Sequence, residues 1–391
     1  MFNVTDEIKG LFDETVKNRR HLHQYPELGF QEHNTSDFIY NKLVELGYKV
    51  SKVAGTGVVA LLKDSNEYKT LAIRADIDCL PLQELNNVEY TSKNEGKMHA
   101  CGHDGHTAIA LSLAKLVMLN KENFSGNVKF IFQPAEEGPG GAKPMIEEGV
   151  LENPKVDAII GLHVWNSNEI GEVVIKDGPL MASADEFSIT VIGKGGHGAI
   201  PQQTIDAIVV MAHIITALQT VVSRNINPLD SAVLTIGKIE GGSNFNIIAE
   251  SSKIIGTVRT FSNELREVIK DRIEQIVKNI TSAFGATYAF EYKKLYAPTI
   301  NNKEISDLVK KSANGVIDKI NDKDMTMGAE DMSYFLERVP GCYFFVGSAN
   351  KSKGLDKPHH SPYFDFDENA MLIGIQILYN SILEYFNNNR G

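Results

Sequence analysis

Residues 99–138, HACGHDGHTAIALSLAKLVMLNKENFSGNVKFIFQPAEEG, place a helical pattern directly before a buried strand. Apolar residues recur at helical spacing over 105–119, and the short apolar run 127–132 (NVKFIF) reads as a strand buried on both faces. The same two patterns alternate on either side. Helix-spaced apolar positions cover 6–24 and 35–46, the second closing on Gly47, while 57–62, 70–75 and 156–162 read as further buried strands. Helices set between buried strands predict a layered α/β sheet.

From about residue 185 the rhythm changes. Strand (185–193), helix (204–222), strand (231–239), strand (251–260), helix (263–284) and strand (286–293) follow one another, which is the βαββαβ order of a ferredoxin-like unit. Glycine-rich turns at Gly193 to Gly198 and at Gly241-Gly242 punctuate it. After Pro298 the helix–strand alternation resumes, with a strand at 341–346 and an amphipathic helix at 367–386. The simplest account is an insertion: a catalytic domain of 1–184 and 297–391, interrupted by a lid domain of 185–296.

Bulk properties narrow the function. A chain of 391 residues, 42% hydrophobic and 23% charged, is an ordinary globular composition long enough for two or three domains. The excess of 50 acidic over 39 basic residues, net charge -11, argues against nucleic acid or anionic membranes as partners. The start MFNVTDEIKG has no basic segment followed by an apolar run, and no later stretch reads as long and clean enough to span a bilayer, so a cytoplasmic protein is expected. Three cysteines make a poor disulfide framework. Cys79 and Cys342 stand in apolar runs and read as core residues; Cys101 stands among histidines.

Seven of the eleven histidines fall in short clusters: His21 and His23, then His99, His103 and His106, then His359 and His360. Asp76 and Asp78 follow the strand 70–75, Glu136 and Glu137 follow 127–132, His163 follows 156–162, and Cys101 and His103 stand just before the helix 105–119. Open α/β sheets bind ligands beyond the carboxyl ends of their strands, so these groups are expected to converge on one cleft. Thiol, imidazole and carboxylate together suit a first-row divalent metal without selecting sharply among them. The run Gly138-Pro139-Gly140-Gly141 lacks the Lys-Ser/Thr of a phosphate loop and reads as a turn, and no Gly-x-Ser-x-Gly nucleophile motif is present.

Across Met98-His99-Ala100-Cys101-Gly102-His103-Asp104-Gly105-His106-Thr107 the chain resembles the M20 metallopeptidase family, in the amidohydrolase branch of hippurate hydrolases, N-acetyl-amino-acid deacetylases and auxin-conjugate hydrolases. Matches run over nearly the whole chain: Arg20-His21-Leu22-His23 with Pro26 to Phe30, Arg74-Ala75-Asp76-Ile77-Asp78, Gln133 to Gly138, Leu162-His163-Val164, Gly195-Gly196-His197-Gly198-Ala199-x-Pro201, and His360-Ser361-Pro362-x-Phe364. The resemblance implies a zinc-peptidase-like catalytic domain. It implies two divalent ions, manganese or zinc before cobalt or nickel, held by Cys101, His103, Glu137, His163 and His360, with Glu136 as the catalytic carboxylate.

It further implies that His197 reaches the partner's active site in a homodimer formed through the lid domain, and that Asn246 and Arg259 bind the substrate carboxylate. The implied substrate is a small N-acyl amino acid; the rival is a dipeptidase or aminopeptidase using the same metals. Two departures stand out. Arg74 occupies the place of a ligand histidine found outside this branch, which leaves Asp76 to orient a ligand rather than bind metal. The segment Asn246-Ile247-Ile248-Ala249 replaces Asn-x-Ile-Pro and weakens the role of Asn246. His21 and His23 read as structural and His106 as a neighbour of the ligands; Gly328, Glu330 and Asp331 resemble a loop near the substrate.

Overall fold

The computed structural model describes residues 2–65 and 67–388, which form two compact units. The first takes the described residues of Met1–Gly178, Ile300–Asp324 and Asp331–Gly391; the second takes Pro179–Thr299 and Met325–Glu330. The insertion boundaries thus fall at 178/179 and 299/300, and the short segment 325–330, assigned from sequence to the first domain, clusters with the second.

The first unit is built on an eight-stranded sheet in the order Lys49–Val53, Gly57–Leu61, Asn127–Gln133, Thr70–Asp76, Ala158–Glu169, Gly341–Ala349, Glu172–Val174, Lys319–Asn321. Its four central strands run parallel. Every residue of Thr70–Asp76, Asn127–Gln133 and Gly341–Ala349 is buried, because helices cover a parallel sheet on both faces. Each fully buried phenylalanine there, such as Phe130, Phe132 or Phe344, contributes about 2–3 kcal/mol of apolar burial. The helix His103–Leu119 is buried nearly all round, as its apolar composition requires, and packs against Phe12–Gln24 and Asn369–Asn388.

The second unit holds an antiparallel sheet in the order Ala232–Gly241, Ser251–Thr260, Ala184–Ile192, Thr287–Tyr296. Numbered along the chain this is 2-3-1-4, the ferredoxin-like arrangement. Ser251–Thr260 alternates buried and half-buried residues, so one sheet face carries Phe187, Ile189, Ile254 and Val258 into a core shared with the helices Ala207–Asn225 and Asn263–Ala283. Those helices start cleanly: the Asp206 carboxylate accepts from Ile208 and Val209 N–H, and Ser262 Oγ accepts from Leu265 N–H.

Three expectations are corrected. The helix predicted over 6–24 is two helices, Asp6–Lys9 and Phe12–Gln24, parted where Gly10 ends the first turn. The elements Lys49–Val53, Lys303–Ala313 and Lys319–Asn321 were not predicted at all. Finally, one helix, Ala207–Asn225, is long and apolar enough to cross a membrane, against the expectation of none. Its composition has a local cause: Ala207, Val210, Met211, Ile214, Leu218 and Val221 are buried in the core of the second unit.

Candidate metal centre

Three neighbouring parallel strands deliver the chemistry. Asp76 closes Thr70–Asp76 and Asp78 follows it, Glu136 and Glu137 follow Asn127–Gln133, and Cys101 and His103 arrive at the start of helix His103–Leu119. His163 departs from expectation. Its strand runs on to Glu169 because it pairs with Gly341–Ala349 past Trp165, so His163 stands within a strand rather than after one.

Gly102 separates two of the candidate ligands. Its φ of 94° is left-handed, and a Cβ there would lie 2.4 Å from Val164 Cγ2, so only glycine fits this turn between Cys101 and His103. Ala135 and His360 adopt the left-handed region without being glycine, at φ 54° and 65°. Such strain concentrates at functional sites, and here it falls on His360 and on the residue before Glu136.

The structure gathers Cys101, His103 and Glu137 so that one ligand-type atom of each lies within 4.8 Å of the others. Cys101 Sγ is 3.4 Å from His163 Nε2, and His360 Nε2 is 3.2 Å from Glu137 Oε1. Two ligands of one tetrahedral ion sit about 3.5 Å apart, so these spacings match shared coordination. His103 Nδ1 donates to the Asp78 carbonyl at 3.0 Å and to its Oδ1 at 3.2 Å. That leaves Nε2, buried and without a hydrogen-bond partner among the described residues, as the atom offered to a cation. His163 Nδ1 likewise donates to Val164 O at 2.5 Å, freeing its Nε2.

The electrostatics of the cluster suit a cation. Burial pushes the Cys101 thiol well above its ordinary range, and Glu137, Glu136 and Asp76 push the same way. Burial opposes charge on His103, but Asp76 and Asp78 outweigh it and raise the imidazole to about 10. Burial, with His106 and His359 beside it, holds His163 well below its usual value, so it is neutral as a metal ligand must be. A divalent cation would displace the proton of His103 and hold Cys101 as thiolate. The donor set therefore fits a metal.

Other predicted residues are placed as follows. Asp76 is 3.9 Å from His103 Nδ1, too far for a hydrogen bond; its Oδ1 instead accepts from His106 Nδ1 at 2.6 Å and its Oδ2 from Arg74 Nη1 at 2.7 Å. The carboxylate that meets His103 is Asp78, whose Oδ2 also accepts the Glu137 N–H at 3.0 Å. The sequence places Asp78 beside Asp76 at the end of the same strand but does not show which ring it meets. Arg74 donates from Nε to Gln133 Oε1 at 2.8 Å and from Nη2 to Asp331 Oδ1 at 3.0 Å.

His359 brings a ring nitrogen within 4.8 Å of Cys101 and His163. Its Nε2 accepts the Asn166 N–H at 3.1 Å, so its proton rides on Nδ1, and the ring is wedged between Trp165 and Phe364 with centroids 4.8 Å from each. His23 is buried between Asp104 and Glu84, and the buried His99 ring lies 6.4 Å from the His23 ring. Cys79 and Cys342 are buried free thiols.

His197, Asn246 and Arg259 belong to the second unit. Gly196–His197 pairs with Ile247–Ile248, and Gly198 N–H donates to Asn246 O at 2.8 Å, an approach that a Cβ on Gly198 would block at 2.9 Å. His197 Nδ1 accepts the Ala199 N–H at 3.1 Å, which puts its proton on the exposed Nε2 side. Arg259 is half-buried on Ser251–Thr260.

The chain is similar to known proteins in sequence and in fold. Residues 72–384 match the profile of peptidase family M20/M25/M40. Thermostable carboxypeptidase 1 of Saccharolobus solfataricus is 40% identical over 95% of this chain and 95% of its own, and N-acetyl-L-cysteine deacetylase of Bacillus subtilis is 41% identical over 95% and 88%. N-acyl-L-amino acid amidohydrolase of Geobacillus stearothermophilus is 46% identical over 76% and 82%. The crystal structure of the Bacillus subtilis protein YXEP, a dinuclear metal binding peptidase, aligns with a TM-score of 0.85 at 32% identity, covering 97% of this chain and 99% of that one.

Proposed function

The chain belongs to peptidase family M20/M25/M40, and from that premise we propose that it is a metal-dependent amidohydrolase that cleaves N-acyl amino acids to a carboxylic acid and a free amino acid. The observation that carries this reading is the buried Cys101, His103 and Glu137 cluster, with His103 Nε2 left without a partner among the described residues. Cys101, His103, Glu137, His163 and His360 hold two divalent ions, manganese or zinc before cobalt or nickel. When bound, such ions acidify a water and polarise the scissile carbonyl.

The remaining steps fall to side chains. Glu136, 6% exposed and near enough to raise the Cys101 thiol, takes the proton of the attacking water and delivers it to the leaving nitrogen as the C–N bond breaks. Asp78 fixes the His103 ring. His197 donates from Nε2 to the developing oxyanion, while Asn246 and Arg259 bind the substrate carboxylate.

We assign His197 to the partner's site in a homodimer formed through the second unit. Its surface carries Phe245, 99% exposed, with Ile208, Val209 and Ile239, and Ala232–Gly241 is an edge strand. Three free thiols, one of them a ligand, suit a cytoplasmic setting.

A dipeptidase or aminopeptidase is not favoured: relatives at 41% and 46% identity carry deacetylase and amidohydrolase names. Assay of N-acetyl, N-benzoyl and dipeptide substrates with manganese- and zinc-loaded protein tests the reading. Turnover of N-acyl amino acids supports it, and a clear preference for dipeptides overturns it.

A further inference from the structure

The strand Thr70–Asp76 pairs with Ala158–Glu169 only as far as Arg74 opposite Gly161. Beyond that point the Val164 N–H has no strand partner on this side, and a histidine supplies one: it donates to His106 Nε2 at 2.9 Å. The opposite ring nitrogen, His106 Nδ1, lies 2.6 Å from Asp76 Oδ1. Asp76 is held as a carboxylate by Arg74, so it accepts, and the His106 proton sits on Nδ1. Both bonds therefore demand one neutral tautomer of His106.

Val164 is gripped from its other end as well. Its carbonyl accepts from His163 Nδ1 at 2.5 Å, which turns His163 Nε2 toward Cys101 Sγ at 3.4 Å. Two imidazoles thus hold the N–H and the C=O of a single residue. We propose that His106 is a positioning residue that sets the orientation of His163 through the Val164 main chain, itself fixed by Asp76 and Arg74. The proposal rests on the reading of His163 as a metal ligand.

Its structural logic differs from the direct carboxylate–histidine contact that Asp78 makes with His103. Here the orienting carboxylate acts two links away. Outer partners of this kind change metal affinity about 10–100-fold when removed.

The test is a double-mutant cycle in the full chain, read as Co2+ binding to metal-free protein by chelator competition and as the Cys101 thiolate-to-Co2+ absorption band. His106→Leu, which removes both bonds, is expected to weaken one of the two bound ions about 10–100-fold and to shift the band. In the His163→Ala background, where that ion is already lost, His106→Leu is expected to leave the remaining ion unchanged. His106→Gln, which keeps a donor and an acceptor, is expected to restore most of the affinity.

Should His106→Leu fail to fold, His106→Asn, too short to bridge Asp76 and Val164, takes its place with the same expectation. Equal weakening in both backgrounds, or no weakening in either, overturns the proposal. Wild-type binding of both ions by His163→Ala would instead overturn the ligand role of His163 on which it rests.

Discussion

His23 offers a test whose size follows from the structure. The residue is fully buried near the end of Phe12–Gln24, with Nδ1 2.7 Å from Asp104 Oδ2 and Nε2 3.2 Å from Glu84 Oε1. Two carboxylates require both ring nitrogens to donate, which only the imidazolium can do. Burial opposes the charge, but Asp104 outweighs it and raises the imidazole from its ordinary 6.5 to about 9. A rise of that size corresponds to about 3 kcal/mol of stability.

The sign follows from the direction of the shift. Because the folded value lies above the unfolded one, the stabilisation is fully present below about pH 6.5 and is lost as pH rises through about 9. Urea unfolding of the metal-free protein, followed by a probe in the first unit, compares wild type with His23→Gln from about pH 6 to about pH 9.5. The wild-type advantage is expected to shrink by about 3 kcal/mol over that window, while titrations common to both proteins cancel. A difference that stays flat with pH would refute the reasoning.

Three further outcomes are expected. Gly102→Ala meets both a left-handed φ and Val164 Cγ2 at 2.4 Å, so a loss of about 2–4 kcal/mol in urea unfolding is expected, and a change under about 1 kcal/mol contradicts the close approach. Asp78→Ala releases His103 Nδ1 and the Glu137 N–H, and chelator competition should show metal affinity falling at least about 10-fold; unchanged affinity contradicts its positioning role. Mixing equal amounts of inactive Glu136→Gln and His197→Ala protomers should regain about a quarter of wild-type activity if random dimers exchange and His197 serves the partner's site. No recovery removes the contribution in trans.

The fold was legible where burial is total. The runs 70–75, 127–132 and 341–346 are apolar throughout because helices cover both sheet faces, and the βαββαβ order of the second unit shows in its alternating strands. Lys319–Asn321 was invisible because a half-exposed edge strand of three residues carries no period. In the site, Asp76, Asp78, Glu136, Glu137, Cys101 and His103 could be placed near one another from two strand ends and the start of one helix. The five-ligand set and the separate role of Glu136 came from the family resemblance.

What periodicity could not reveal is which carboxylate holds which ring. Asp76 and Asp78 lie two residues apart, yet the first meets His106 and the second His103, because the helix His103–Leu119 presents those rings three residues apart along its first turn. Such pairing depends on the axial placement of a helix against a strand, which side-chain periodicity does not record. The Val164 main chain, used as a link between two histidines, leaves no mark on side-chain chemistry at all.

The claim on which the account turns is that Glu136 moves the proton while its neighbour Glu137 holds metal. Metal content and turnover measured side by side on Glu136→Gln test it most directly. Two ions are expected to bind per chain with affinity close to wild type, as in a dinuclear relative, with turnover lowered about 10²–10⁴-fold. Turnover near the wild-type rate, or turnover lost only together with the metal, would contradict it.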